Sequence, residues 1–238
     1  MKPLVPYRIY PCGDHAITIE LGNKVDESIN QQIISLFKNI SGQPINGVKD
    51  IIPAYNSLTI VFDVVKIKKT NKVDSAYGYM QQYLDLAFKN STDDKQEKPR
   101  DVRIPVCYDV SLARDISSLA TTHQISVEEV IRLHSSKKYR VYMIGFLPGF
   151  AYMGTVDEKL ITPRLATPRV FVPAGSVGIA GEQTGIYPFD SPGGWQLIGQ
   201  TPVKMFSVEK EIPCLLQPGD EVQFYPISIS EFENYPKP

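Results

Sequence analysis

Apolar and polar residues alternate through Tyr7–Tyr10 and again through Ala16–Leu21, where Ile17, Ile19 and Leu21 share one side and Thr18 and Glu20 the other. That period of two predicts two strands around the turn residues Pro11-Cys12-Gly13-Asp14. The period then lengthens. Ile29, Ile33, Phe37 and Ile40 recur at helical spacing behind Asp26 or Ser28 as N-cap, with Ser41-Gly42 as the stop, which predicts an amphipathic helix of about four turns. Val48–Pro53 and Ser57–Val65 return to strand texture on either side of Ala54-Tyr55-Asn56. Val73, Ala76, Tyr77, Met80, Leu84, Ala87 and Phe88 form a second helical stripe that needs a sheet or partner to cover it. The sum is ββαββα, a small α/β sandwich over residues 1–90.

Residues 91–100 carry no large apolar side chain and read as a linker, so a second domain is expected over 101–238. It opens with a strand, Val102–Val106, and two helical patterns. One runs through Leu112, Ile116 and Leu119; the other starts at Ser126, with Glu129 three residues on as a capping box. His123 and His134 follow Leu119 and Val130 by four positions and read as satisfied core or cap residues rather than catalysts, while His15, in the turn after Asp14, is open to either role. Between Val141 and Pro202 the helical period vanishes, and ten of the sixteen glycines and seven of the nineteen prolines interrupt short Val/Ile/Phe/Tyr pieces. Many short strands with frequent turns predict a closed or nearly closed β-barrel, with glycines at corners and prolines at edges. A turn at Pro218-Gly219-Asp220 precedes a last strand, Glu221–Ile227. The fold class is α+β.

Composition narrows the function only by exclusion. With 42% hydrophobic and 21% charged residues the chain is of ordinary globular type, and 25 Lys+Arg against 26 Asp+Glu give a net charge of −1, without global attraction for nucleic acid or an anionic bilayer. No signal peptide or apolar run of membrane-spanning length is visible, so a cytoplasmic address is expected. Cys12, Cys107 and Cys214 never pair as C-x-x-C, and no metal site is expected.

Candidate chemistry concentrates in the predicted barrel. Thr162-Pro163-Arg164 and Thr167-Pro168-Arg169 repeat a step five residues apart, an odd offset that puts the arginines on opposite faces of a regular strand. On an irregular loop they could instead converge as an anion clamp, since Arg suits bidentate capture of carboxylate or phosphate; surface arginines beside prolines are the equal alternative. Val172–Gly185 spaces glycines at 175, 178, 181 and 185, but it matches no dinucleotide or P-loop fingerprint, and barrel corners are the favoured explanation. Tyr187-Pro188-Phe189-Asp190-Ser191-Pro192-Gly193-Gly194-Trp195-Gln196 holds the single Trp beside two glycines, a setting for close backbone approach to a ligand or an interface anchor. Gly145–Met153 is a second apolar loop, expected to meet a partner or the other domain. Asp190, Glu182 and Asp157 are the carboxylates nearest these loops and the candidates for a general base.

Tyr139–Phe150, Ala166–Arg169, Val172–Gly181 and Ser191–Pro202, together with Gly13-Asp14 and the C-terminal Pro-Gly-Asp, resemble the family of 5-oxoprolinase B-type subunits, also called allophanate hydrolase subunit 1 or Kip-type histidine kinase inhibitor. The resemblance spans essentially the whole chain. It implies a small N-terminal α/β domain followed by a cyclophilin-like β-barrel, and a subunit, inactive alone, of an ATP-dependent enzyme that opens 5-oxo-L-proline to L-glutamate. It further implies a related subunit of C type and a third subunit as partners, with ATP held together with a partner subunit. Inhibition of a sensor histidine kinase, or a place in a urea carboxylase or allophanate hydrolase type of enzyme, is the alternative it carries. Carried over by position, the substrate-binding residues are Arg164, Arg169, Gly175, Ser176, Gln183, Tyr187, Ser191, Gly193, Gly194, Trp195 and Gln196; no catalytic residue is assigned. The chain departs from the family at Asp109-Val110 and at Glu182, where glycines are common, and an acidic group at 182 would repel a phosphate.

Overall fold

The computed structural model describes residues 6–24, 26–91 and 98–236. The chain forms two compact units, one ending at Lys98 and the other beginning at Pro99. Much of the expected linker, residues 92–97, lies outside the described residues.

In the first unit, β1 (Tyr7–Pro11), β2 (Ala16–Leu21), β3 (Val48–Pro53) and β4 (Ser57–Phe62) form an antiparallel sheet in the order β1-β2-β4-β3. Ile17 lies opposite Ile60 and Ile19 opposite Leu58, so the alternating apolar sets of the two central strands share one face. Helices α1 (Glu27–Ser41) and α3 (Ala76–Asn90) cover that face with Ile33, Leu36, Ile40, Met80, Leu84 and Phe88. Each such buried aliphatic or aromatic side chain contributes about 1.5–3 kcal/mol. Asp26 caps α1 by accepting from the Ser28 and Ile29 N–H groups. One element departs from expectation. The strand read as Ser57–Val65 ends at Phe62, because the Asp63 carboxylate accepts from Lys66 N at 3.0 Å and starts α2 (Val64–Asn71). The β-branched pair Val64-Val65 hid that cap, and the order is ββαββαα.

The second unit contains β5 (Asp101–Cys107), α4 (Ile116–Thr122), α5 (Val127–Ser135), β6 (Lys138–Ile144), β7 (Ala151–Gly154), a 3-10 turn (Glu158–Leu160), β8 (Arg169–Val172), β9 (Ser176–Ala180), β10 (Gln183–Ile186), β11 (Ser191–Gly193), β12 (Gln196–Gln200), β13 (Glu221–Ile227) and α6 (Ile229–Glu233). Seven strands close into a barrel in the order β10-β7-β6-β13-β5-β12-β9, and β8 and β11 form a separate two-stranded ribbon. Only β13 and β5 run parallel within the barrel. The helical pattern starting at Leu112 begins instead at Ile116, since residues 109–113 form a turn in which Asp109 accepts from Ser111 N. Ser126 caps α5 through Glu129 N, but the Glu129 carboxylate takes two bonds from Arg132 at 2.7 Å rather than closing a box. The reciprocal box is at Ser228 and Glu231, at the head of α6. No helix among the described residues is long and apolar enough to cross a membrane.

Helix α5 sends His134 into the barrel core. Its ring stacks on Phe224 at 4.6 Å, Nδ1 meets the Tyr108 hydroxyl at 2.8 Å and Nε2 meets Thr184 Oγ1 at 2.9 Å. Burial holds its pKa down at about 3, so it is a neutral structural imidazole. His123 at the end of α4 bonds Thr162 Oγ1 at 2.8 Å, and His15 is exposed.

Candidate functional site

Beside the β8–β11 ribbon the chain builds an aromatic cavity. The turn from Gly145 to Phe150 is closed by Leu147 N donating to Gly145 O at 2.8 Å and Phe150 N to Leu147 O at 3.0 Å. Gly149, at φ +83°, is needed there, because a Cβ would come within 3.0 Å of Phe206 Cβ and 3.2 Å of Met205 O. Phe146 adopts φ +67°, a left-handed conformation costly for a bulky residue. The turn delivers Phe150 into the centre of four rings. Its centroid lies 4.8 Å from Tyr152, 5.3 Å from Tyr187, 5.3 Å from Trp195 and 5.8 Å from Phe146, mostly edge to face.

Trp195 is fixed from behind by a partly buried ion pair. Asp115 Oδ1 accepts from Arg169 Nη2 at 2.5 Å and Asp115 Oδ2 from Leu197 N at 2.6 Å, while Arg169 Nη1 donates to Trp195 O at 3.3 Å. Gln196 adds a bond to Pro163 O at 3.0 Å, and Leu165 N donates to Gly194 O at 2.8 Å. These contacts tie the segment that leads into β12 to the loop carrying Arg164.

The resulting cavity measures about 390 Å³ and is lined chiefly by the aromatic rings, Leu147, Pro168, Pro192, the two glycines, Ser191 and Arg164. Its charge is one-sided. The Arg164 guanidinium sits 5.9 Å from the Trp195 ring, and the lining contains no carboxylate. Burial raises the Tyr187 and Tyr152 phenols above their ordinary range, with Arg164 pulling weakly the other way, so both stay neutral hydroxyls at physiological pH. Ser191 is 8% exposed, and among the described residues its Oγ is the buried side-chain polar atom without a hydrogen-bond partner. Such an orphan costs about 1–3 kcal/mol, which an architectural role would not explain.

Of the residues expected to bind substrate, Arg164, Tyr187, Ser191, Gly193, Gly194 and Trp195 line this cavity. Gly193 has no room for a side chain, since a Cβ would collide with the Tyr187 hydroxyl. The other five stand outside the lining. Arg169 is held in the ion pair with Asp115, so the two arginines do not converge as a clamp. Gln196 is bonded to the Pro163 carbonyl, and Ser176 and Gln183 belong to the paired barrel strands β9 and β10. Gly175, at φ +80°, is required because a Cβ would strike Thr201 O.

The glycine run does not fit a phosphate group. Gly175 N donates to Tyr187 O and Gly181 N to Thr162 O, each at 2.7 Å, and Gly178 and Gly185 pair with one another in the ladder. A cradle needs several free N–H groups on a concave loop, and these are spent on barrel closure. The candidate general bases also lie elsewhere: Asp190 Oδ1 accepts from Ala174 N at 2.8 Å, Asp157 caps the 3-10 turn, and Glu182 lies at the β9–β10 corner. Of the apolar loop expected to meet a partner or the other domain, Leu147, Phe150 and Tyr152 pack with Trp195 and Tyr187, and Phe146 stands 63% exposed at the rim. The pinning carboxylate Asp115 carries no sequence signal, since its role depends on contacts with Arg169 and Leu197, distant in the chain.

Residues 7–216 match the family model described as carboxyltransferase domain, subdomain C and D. The chain is 38% identical to the 5-oxoprolinase B-type subunit of Bacillus subtilis over 97% of both chains. It superposes on the solved structure of TTHA0988 with a TM-score of 0.77 and 35% identity, covering 90% of this chain and 40% of that one. The Kluyveromyces lactis urea amidolyase shares the fold, with a TM-score of 0.77 at 22% identity over 98% of this chain and 16% of that one. The chain belongs to the carboxyltransferase subdomain C and D family, in the group that includes the bacterial 5-oxoprolinase B-type subunits.

Proposed function

We propose that this protein is the B-type subunit of an ATP-dependent 5-oxoprolinase that opens 5-oxo-L-proline to L-glutamate, working with a related C-type subunit and a third subunit. The observation that carries this reading is the end-to-end likeness to the Bacillus subtilis 5-oxoprolinase B-type subunit, 38% identical over 97% of both chains. A second observation supports a role within an assembly. This chain corresponds to 40% of the solved TTHA0988 chain and 16% of the urea amidolyase chain, so the same module occurs within larger polypeptides. On this chain, Val170 (89% exposed) and Phe171 stand in solvent on β8, next to the strand that carries Ser191, and suit burial against a partner.

The aromatic cavity is this subunit's contribution to substrate handling, and a low-dielectric ring-lined site excludes water from a lactam until it is activated. ATP, which supplies the driving force for lactam opening, is assigned to a site shared with or held by the partner subunits, because the Gly175–Gly185 hairpin does not fit phosphate. The cytoplasm is the proposed compartment.

Reconstitution tests the reading. Co-purified with its C-type and third subunits, this chain should be required for 5-oxo-L-proline-dependent ATP hydrolysis with glutamate release, and should show none of it alone. Turnover that is unaffected by omitting this chain overturns the proposal. Turnover of urea-derived substrates instead, or inhibition of a sensor histidine kinase by this chain alone, would transfer the function to the alternatives the family carries.

A further inference from the structure

We infer that the outer face of helix α2 docks a carboxylate-rich segment of a partner protein, with one apolar residue of that segment seated on Val65. The helix supplies the pattern. At 3.6 residues per turn, Val64, Ile67 and Asn71 turn inward, while Lys68, Val65, Lys69 and Lys66 follow one another around the opposite side. Lys72 continues the row at the left-handed C-cap. All four lysines are exposed, and Val65 among them is 59% exposed.

The other long helices balance their exposed cations internally. Lys89 of α3 pairs with Asp85 at 2.6 Å, and Arg132 of α5 with Glu129 at 2.7 Å. Helix α2 does not. Val64–Lys72 holds four lysines and no acidic residue, in a chain whose net charge is −1. None of the four forms a salt bridge or a side-chain hydrogen bond among the described residues. The nearby acid is already engaged: Asp63 accepts from Lys66 N at 3.0 Å and lies 3.8 Å from Lys49 Nζ, which adds a fifth ammonium at the head of the helix. Lys68 and Lys69 gain from the negative end of the helix, but Lys66 stands in the first turn, and the Lys66–Lys69 and Lys68–Lys72 spacings of three and four set like charges side by side. An acidic ligand relieves that repulsion.

The kind of cation selects the partner. Reading of nucleic acid uses arginine forks on base edges and aromatic rings under the bases, and α2 has neither an Arg nor an aromatic residue. Docking on a bilayer needs a broad apolar face, whereas α2 exposes one apolar side chain on a helix about 12 Å long. Ammonium groups around a single aliphatic residue match carboxylates around a single apolar one, an interface with an apolar centre and a charged rim. The surface belongs to the first unit, so it stands apart from the aromatic cavity and from the proposed function.

Fluorescence anisotropy on the full chain tests it, with a labelled peptide of about fifteen residues, all glutamate except one central leucine. Binding should be saturable, and at least about tenfold weaker when salt rises from about 50 to about 300 mM. Lys68→Glu with Lys69→Glu should weaken it at least about tenfold, and Lys68→Arg with Lys69→Arg should restore it. Val65→Ser should cost about threefold to fivefold with the leucine peptide and nothing with an all-glutamate peptide. Lys204→Glu with Lys210→Glu changes net charge equally at exposed positions of the second unit and should leave binding unchanged. Far-UV circular dichroism and thermal unfolding check that each variant folds, with Lys68→Gln and Lys69→Gln as the milder second pair.

No saturable binding at low salt overturns the inference, and so does an equal loss in the Lys204 and Lys210 variant, which would make the attraction a property of the whole chain. Tighter binding of a duplex oligonucleotide or of phosphatidylserine vesicles than of the peptide, removed by the α2 variants, overturns the choice of partner. Equal affinity for both peptides removes the seat on Val65.

Discussion

The barrel unit buries polar groups among aromatic rings in two places, and it treats them differently. In the core, His134 lies between Phe224 and Tyr139 with both ring nitrogens bonded, to Tyr108 and to Thr184, and Tyr139 itself donates to the His134 carbonyl at 2.9 Å. In the cavity, Ser191 lies beside Tyr187 and Trp195 with its hydroxyl bonded to nothing. Rings and burial are common to both. What differs is satisfaction: the His134 network is fully bonded and specifies architecture, whereas the Ser191 hydroxyl stands buried and unbonded in the wall of the cavity.

The contrast can be broken first through pH. His134 has a folded pKa of about 3 because burial disfavours its charged form, against 6.5 in the unfolded chain, so between those values the unfolded state binds more protons. Its contribution is complete above pH 6.5 and is lost as pH falls towards 3, a change on the order of 5 kcal/mol. Urea unfolding of the wild type and His134→Gln across that window should show the wild type losing stability more steeply; parallel curves would contradict the neutral buried imidazole.

Removing the support behind the cavity comes next. Asp115→Ala leaves the Arg169 guanidinium and the Leu197 N–H without their shared acceptor, and should cost about 3 kcal/mol with a shift in Trp195 emission. An unshifted emission spectrum would show that the ion pair does not position the indole. Gly193→Ala drives a methyl into the Tyr187 hydroxyl and should cost about 1–3 kcal/mol by chemical denaturation, besides shrinking the cavity. Smallest is Ser191→Ala in the ligand-free protein. Replacing an unbonded buried hydroxyl by a methyl should change stability by less than about 1 kcal/mol or raise it, and a larger loss would reveal a structural partner for Oγ.

The same difference explains what could be read from the sequence. Period-two runs such as Ile17-Thr18-Ile19-Glu20-Leu21 and the closed barrel behind the glycine-rich stretch are local signals, and the strands and barrel follow them. The helix α2 escaped because Val64-Val65 carries strand propensity while its start depends on one Asp63 side chain. The segment from Tyr187 to Trp195 stands out through its glycines and single Trp. The Gly145–Met153 loop stands out as apolar too, but that it forms the other wall of the same cavity, and that Asp115 pins Arg169 behind it, depends on which distant segments meet in the folded barrel, and the sequence pattern carries no record of that. Arg164 and Arg169 look alike in the repeated Thr-Pro-Arg step, yet one lines the cavity and the other is locked to Asp115.

The most direct measurement is a crystal structure of the protein soaked with 5-oxo-L-proline. The account predicts the ligand inside the aromatic cavity, against the rings that line it and beside Arg164. An empty cavity with the ligand bound elsewhere, or Ser191 Oγ found bonded to the protein itself, would contradict it.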